Sequence, residues 1–332
     1  MTLVGVLGAG SWGTTLADLL AQNGHEVRLW AHEPEVVQAI NERGENPLFL
    51  PGHRLARGVT AFGEPGEAVR DAELVLLAAP SHVARGVLRR AAGGLAAGTV
   101  VVSATKGIET DTLALMHEMI TDEAPAATPV ILSGPSFAQE VAAGQPTAVV
   151  AASRDDAAAT AVQQAFSGRR FRVYTARDMI GVELGGALKN VVAIAAGMLE
   201  GLGLGNNPRA ALITRGLAEI TRLGVRMGAD PLTFAGLAGM GDLILTATGQ
   251  LSRNRALGHA LAQGESLEEY RARHRTVAEG VNTSKACAAL AAREGVEMPI
   301  TGKVFEILFH GKAPSETVNE LMGRDLKAEQ WQ

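Results

Sequence analysis

The chain is 332 residues long, enough for two hydrophobic cores, and its 47% hydrophobic and 20% charged residues exclude an intrinsically disordered protein. A formal net charge of -5 gives no global positive field, which argues against a nucleic-acid partner and makes any anion site local. Cys287 is the single cysteine, so an intrachain disulfide and a multi-cysteine zinc cluster are excluded, no metal site is expected, and a reducing, cytoplasmic setting fits.

Met1 runs directly into Leu3-Val4-Gly5-Val6-Leu7, without the basic region or cleavage site of a signal peptide. Apolar runs such as Val191 to Leu199 stop at Glu200, short of the roughly 20 residues that cross a bilayer, so no membrane span is expected. Short apolar runs alternate with helix-like stretches through the first half: Leu3 to Leu7, Val27 to Trp30, Leu74 to Ala78, Val100 to Ser103, Val130 to Leu132 and Ala148 to Ala151. Nearly continuous apolar runs are those of strands buried on both faces, and the alternation predicts a parallel sheet covered by helices, the doubly wound α/β pattern. Beyond about Asp178 the strand-like runs cease. Helices are expected over Met179 to Leu199, Pro208 to Met227, Val281 to Glu294 and Pro299 to Phe309, with Asn207 as the cap ahead of Pro208. The division expected is a sheet domain over 1–177 and an all-α domain over 178–332.

Gly8-Ala9-Gly10-Ser11-Trp12-Gly13 follows the first strand and opens a helix. In that position Gly8 permits the tight turn, Gly10 lets a pyrophosphate approach the backbone, and Gly13 lets the helix pack on the strand. An isolated match would more often be an unliganded turn. The flanking strand and helix favour a dinucleotide and an N-terminal Rossmann domain. The acidic residue that selects NAD at the end of the second strand is missing, because Val27-Arg28-Leu29-Trp30 leads into Ala31-His32-Glu33. Glu33 can bond a ribose hydroxyl, whereas His32 or Arg28 tolerates a 2′-phosphate, so both NAD and NADP are expected to be accepted.

Ser103-Ala104-Thr105-Lys106-Gly107 and Ser133-Gly134-Pro135-Ser136-Phe137-Ala138 each follow a strand, which places both at the carboxyl edge where such sheets bind ligands. Lys106 gains interest from that place; by residue type alone it is a surface lysine, and Ser136 is equally a helix cap. Lys189 lies among apolar helix positions in Ala187-Leu188-Lys189-Asn190-Val191. Desolvation there would lower its pKa toward a value useful for proton transfer and a nearby carboxylate would oppose the shift, unless the stem carries the ammonium out to water. Asp242 sits in a similar apolar run, and Ser252-Arg253-Asn254-Arg255 concentrates donors suited to a phosphate. Gly302-Lys303 and Gly311-Lys312 lack the hydroxyl residue that ends a Walker loop, and His117-Glu118 meets Thr121 where a zinc-protease helix needs a second His.

The glycine triad, Thr105-Lys106-Gly107, Gly134-Pro135-Ser136-Phe137-Ala138, Leu188-Lys189-Asn190, Gly241-Asp242-Leu243 and Arg253-Asn254-Arg255 occur in the order that resembles the bacterial NAD(P)-dependent glycerol-3-phosphate dehydrogenases, from about Val4 to Lys312. That resemblance implies interconversion of dihydroxyacetone phosphate and sn-glycerol 3-phosphate, supplying glycerophospholipid synthesis. It implies Lys189 as proton donor and acceptor, with Lys106, Gly134, Ser136, Asp242, Ser252, Arg253 and Asn254 lining the substrate site. It also implies that Ser11, Trp12, His32, Lys106, Ala138, Arg253, Val277 and Glu279 touch the cofactor, and a homodimer is the expected assembly. Two alternatives stay open at this point. One is a related hydroxy-acid dehydrogenase, akin to those acting on 6-phosphogluconate or 3-hydroxyisobutyrate; the other is a non-catalytic NAD(P)-sensing module.

Overall fold

The computed structural model describes residues 2–274, 278–326, 328 and 329. Its first half runs β1 (Leu3–Leu7), α1 (Ser11–Gln22), β2 (Glu26–Trp30), α2 (Pro34–Arg43), β3 (Val59–Phe62), α3 (Pro65–Val69), β4 (Leu74–Leu77), α4 (Ser81–Ala91), β5 (Val100–Ser103), α5 (Met116–Glu123), β6 (Thr128–Ser133), α6 (Ala138–Ala142), β7 (Thr147–Ala152), α7 (Asp156–Phe166) and β8 (Phe171–Ala176). Helices follow: α8 (Met179–Gly201), α9 (Asn206–Arg226), α10 (Pro231–Phe234), α11 (Asp242–Thr248), α12 (Arg253–Ala262), α13 (Leu267–Arg273), α14 (Glu279–Glu294), α15 (Pro299–His310) and α16 (Pro314–Met322).

The strands form one sheet in the order β3-β2-β1-β4-β5-β6-β7-β8. The chain reverses its direction across the sheet between β1 and β4, which opens a crevice at their carboxyl ends. Leu16, Leu20 and Val162 of α1 and α7 pack on one face; Ala84, Leu88, Met119 and Ile120 of α4 and α5 pack on the other. Coverage of both faces is why the central strands read as unbroken apolar runs.

Two sequence expectations need correcting. The sheet is not wholly parallel: β7 pairs antiparallel with β6, Leu132 facing Ala151. The link between them, residues 134–146, keeps the Gly134 loop and the short α6 at the carboxyl edge, so the chain re-enters the sheet in the opposite direction. The cap of α9 is Gly205, not Asn207; a proline within the first turn costs no intrahelical bond, so the helix starts ahead of Pro208. Strands β3 and β8 are additional to the six apolar runs. Both are edges, and β8 alternates buried Phe171 and Val173 with exposed Arg172 and Tyr174, a pattern that a search for continuous apolar runs passes over.

Helix α8 joins the two halves. Met179 and Val182 belong to the core beneath the sheet, whereas Leu184, Leu188 and Val192 belong to the helical core. Further along, a Cβ on Gly197 would lie 1.9 Å from the Arg255 carbonyl oxygen and one on Gly258 1.9 Å from that of Ile194, so α8 and α12 touch backbone to backbone. Among the described residues α8 is the one unbroken helix long and apolar enough to cross a membrane, but 94% of its apolar window is buried within the protein.

Candidate active site

The glycine loop has the geometry that its spacing called for. Gly8 takes φ 122°, and a Cβ on Gly13 would collide with the Gly8 carbonyl oxygen at 1.9 Å, whereas nothing lies within 4 Å of where a Cβ on Gly10 would be. The N-terminus of α1 has no side-chain cap. Its first-turn amides therefore remain available to an anion, and the open space at Gly10 lets a pyrophosphate reach them. Ser11 Oγ donates to the Phe49 carbonyl at 2.6 Å, Trp12 in the first turn of α1 packs partly buried on the core, and Ala138 opens α6, its carbonyl accepting from Thr15. His32 is exposed beyond β2 with its ring edge-on to Trp30, and Glu33 occupies the N-cap position of α2. No carboxylate follows Trp30 directly; Ala31 does, and it is buried.

Across the crevice a buried charge cluster gathers residues far apart in the chain. Lys189 Nζ donates to Asp242 Oδ1 at 2.5 Å and to Thr246 Oγ1 at 2.8 Å, and Lys106 Nζ donates to Asp242 Oδ2 at 2.8 Å. Lys106 also donates to the Gly134 carbonyl at 2.9 Å and faces Ser136 Oγ at 3.4 Å. Gly134 adopts φ 143° with its backbone pressed on β7, where a Cβ would sit 2.9 Å from Val149 Cα. Asp242 directly follows a turn of π-helix, Leu237–Gly241, an irregularity of the kind found where a helix must aim a functional side chain. Two ammonium groups thus share one carboxylate.

The alternative that Lys189 carries its charge out to water fails, because its side chain is only 6% exposed. Burial lowers its pKa to about 7, Asp242 opposing and the Lys106 charge adding to the fall. A step in which Lys189 gives up a proton should therefore lose rate as pH rises through about 7, and the reverse step, in which it accepts one, should lose rate as pH falls through the same range. Rate profiles measured in both directions check this; profiles flat across neutrality would exclude Lys189 as the titrating group.

Thr246 carries no motif of its own in the sequence. Its signal was its place four residues after Asp242, on the same face of α11. Asn254 Nδ2 donates to Asn190 Oδ1 at 2.9 Å and Asn254 Oδ1 accepts the Gly280 amide at 2.9 Å, so the residue after Arg253 ties α8, α12 and α14 together. Arg253 is exposed at the start of α12 and forms no ion pair among the described residues. Arg255 is already committed, to Glu200 and to the Gly249 carbonyl. Ser252 is buried and its Oγ accepts the Arg255 amide, the bond of a helix cap. Glu279, its carboxyl pushed upward by burial, accepts from Ser81 Oγ at 3.1 Å across the crevice. Ser81 is a further partner that the sequence did not point to, and Val277 lies outside the described residues.

Known proteins are similar to this one along nearly the whole chain. Residues 3–159 match the family model described as the N-terminus of NAD-dependent glycerol-3-phosphate dehydrogenase, and residues 178–319 match that of its C-terminus. The chain is 55% identical over 331 residues to a protein of Geobacter sulfurreducens named glycerol-3-phosphate dehydrogenase (NAD(P)+), covering 99% of each. A protein of the same name from Trichlorobacter lovleyi is 56% identical over 330 residues, covering 98% of this chain and 99% of that one. A crystal structure of glycerol-3-phosphate dehydrogenase from Coxiella burnetii superposes with a TM-score of 0.94 at 40% identity, covering 97% of this chain and 99% of that one.

Proposed function

The chain belongs to the NAD-dependent glycerol-3-phosphate dehydrogenase family, and on that premise we propose how its crevice interconverts dihydroxyacetone phosphate and sn-glycerol 3-phosphate with NAD(P)H. The observation that carries the assignment of roles is the buried Lys189–Asp242–Lys106 cluster, which faces the carboxyl edge of the sheet that also presents the open glycine loop. The nicotinamide, when bound, supplies the hydride that reaches the substrate carbonyl carbon.

Lys189 is the proton donor to the oxygen on which charge develops, and in reverse it takes the hydroxyl proton. A pKa near neutrality lets it serve both directions. Asp242 and Thr246 hold its Nζ in line. Lys106 adds positive potential and, with Gly134 and Ser136, forms the wall opposite α8. Arg253, exposed at the head of α12 without an ion-pair partner among the described residues and carrying a forked guanidinium, is assigned the substrate phosphate. Ser252 and Asn254 set the first turn of α12 that presents it. Gly8, Gly10, Ser11, Trp12 and Gly13 are assigned the pyrophosphate, His32 the 2′-phosphate end, and Ala138, Val277 and Glu279, with Lys106 and Arg253, the remaining cofactor contacts.

The domain boundary at 177/178 is supported by the end of β8 at Ala176 and the start of α8 at Met179. A cytoplasmic homodimer feeding glycerophospholipid synthesis completes the reading. Purified protein should oxidise both NADH and NADPH on addition of dihydroxyacetone phosphate, followed by absorbance of the reduced cofactor. Strong discrimination against NADPH in kcat/KM would overturn the reading of the His32 loop. No turnover with either cofactor, alongside turnover of an unphosphorylated hydroxy acid, would overturn the substrate.

A further inference from the structure

Helix α8 meets the sheet domain along one stripe. Glu183, Gly186 and Asn190 recur at i, i+3 and i+7, a single helical face, and each abuts a different part of that domain. Glu183, buried, accepts the main-chain N–H of His117 at 2.7 Å and pairs with His117 Nδ1 at 2.6 Å, in the first turn of α5. Gly186 is pressed against the end of β6, where a Cβ would lie 2.4 Å from Ser133 Oγ. Asn190 Nδ2 reaches the Lys106 carbonyl at 3.4 Å. Lys189 is one residue off the stripe, about 100° round the helix, and so turns away toward Asp242 and Thr246.

Of the three contacts the Glu183–His117 clasp is the short, doubly bonded one. The Gly186 contact only limits approach and the Asn190 bond is long. A rotation or slide of α8 in this seat carries Lys189 Nζ with it, and the clasp opposes both because its two bonds run from one carboxylate to the main chain and ring of a single residue. Among the described residues neither member hydrogen-bonds to Lys189, Asp242 or Lys106. A buried carboxylate is costly unless its oxygens are bonded, and an apolar residue would fill this seat at lower cost, so the pair is better explained by the register it imposes than by stability. Burial favours the neutral imidazole of His117, but the bond and charge of Glu183 outweigh it and hold the group above its ordinary range; Glu118 adds to this and Arg154 opposes.

We propose that Glu183 and His117 are a positioning pair for Lys189, fixing the rotation of α8 so that the lysine Nζ meets Asp242 and the reacting oxygen together. This rests on the reading of Lys189 as the proton carrier. The test uses the full chain with Glu183→Ala, Glu183→Gln, His117→Asn and, separately, Lys189→Ala. For each, kcat, its pH dependence, NADPH affinity by fluorescence and Tm are measured.

Glu183→Ala should lower kcat on the order of ten- to a hundredfold, the scale of a small misplacement of a reacting group, while NADPH affinity holds. It should also displace the near-neutral limb of the pH profile, because the distance between Lys189 and Asp242 has changed. His117→Asn keeps a side-chain N–H donor and should retain most of the rate. A lowered Tm with wild-type kcat and an unmoved pH limb would show the clasp to be only structural and overturn the proposal. If Glu183→Ala does not fold, Glu183→Gln, which keeps an acceptor for the His117 amide, decides by the same readouts. Near-normal turnover in Lys189→Ala would overturn the proton-carrier reading itself; collapse there with no loss at Glu183 would overturn the positioning role alone.

Discussion

Lys189→Ala should lose at least about a hundredfold in kcat, because removal of a general acid-base group typically costs 10²–10⁴-fold. The structure says why the loss should fall on chemistry. Truncating Lys189 does not strand a buried charge, since Asp242 keeps Lys106 on its other oxygen at 2.8 Å. The usual penalty for breaking a buried ion pair, about 3–5 kcal/mol, is therefore largely avoided, and the variant should fold. The glycine loop is untouched, so NADPH affinity measured by fluorescence should change little. Methionine at the same position fills more of the space that alanine leaves and should be equally slow. A folded Lys189→Ala protein with near-normal turnover would remove Lys189 from the mechanism and leave Lys106 as the candidate.

Arg253→Leu should lower kcat/KM for dihydroxyacetone phosphate by about one to two orders of magnitude, from the roughly 1.5–3 kcal/mol that a hydrogen bond to a charged group contributes. Arg253 is exposed at the head of α12 without an ion-pair partner among the described residues, so its guanidinium is free to meet a dianion. Unphosphorylated dihydroxyacetone should be a poor substrate for both proteins and should lose much less on mutation. Damage to the fold or to a cofactor contact would depress both substrates alike. Arg255, bound to Glu200 and the Gly249 carbonyl, serves as the contrast: Arg255→Leu should cost stability and spare the difference between the two substrates. The opposite pattern would move the phosphate clamp to Arg255.

The sheet domain was legible in the sequence because strands buried on both faces must be apolar at every position, and a glycine triad between a strand and a helix leaves few other uses for those glycines. The same logic failed at β3 and β8, which are edges, and at β7, whose direction depends on where a loop leaves the sheet. The identities of Lys189, Asp242 and Lys106 could be read as polar residues set in apolar runs or at strand ends. What no local pattern holds is their convergence: Lys189 and Asp242 are 53 positions apart and Lys106 and Asp242 are 136. Periodicity reports which face of an element is buried, not which neighbour it is buried against. Only the packing of α8 and α11 on the sheet decided that one carboxylate is shared by two ammonium groups and that Thr246 completes the set. Only the packing of α12 on α8 decided that Arg255 is held by Glu200 whereas Arg253 has no ion-pair partner among the described residues. Burial, which moves the pKa of Lys189 to about 7, is likewise a property of the surrounding volume, and that volume is supplied by residues distant in sequence.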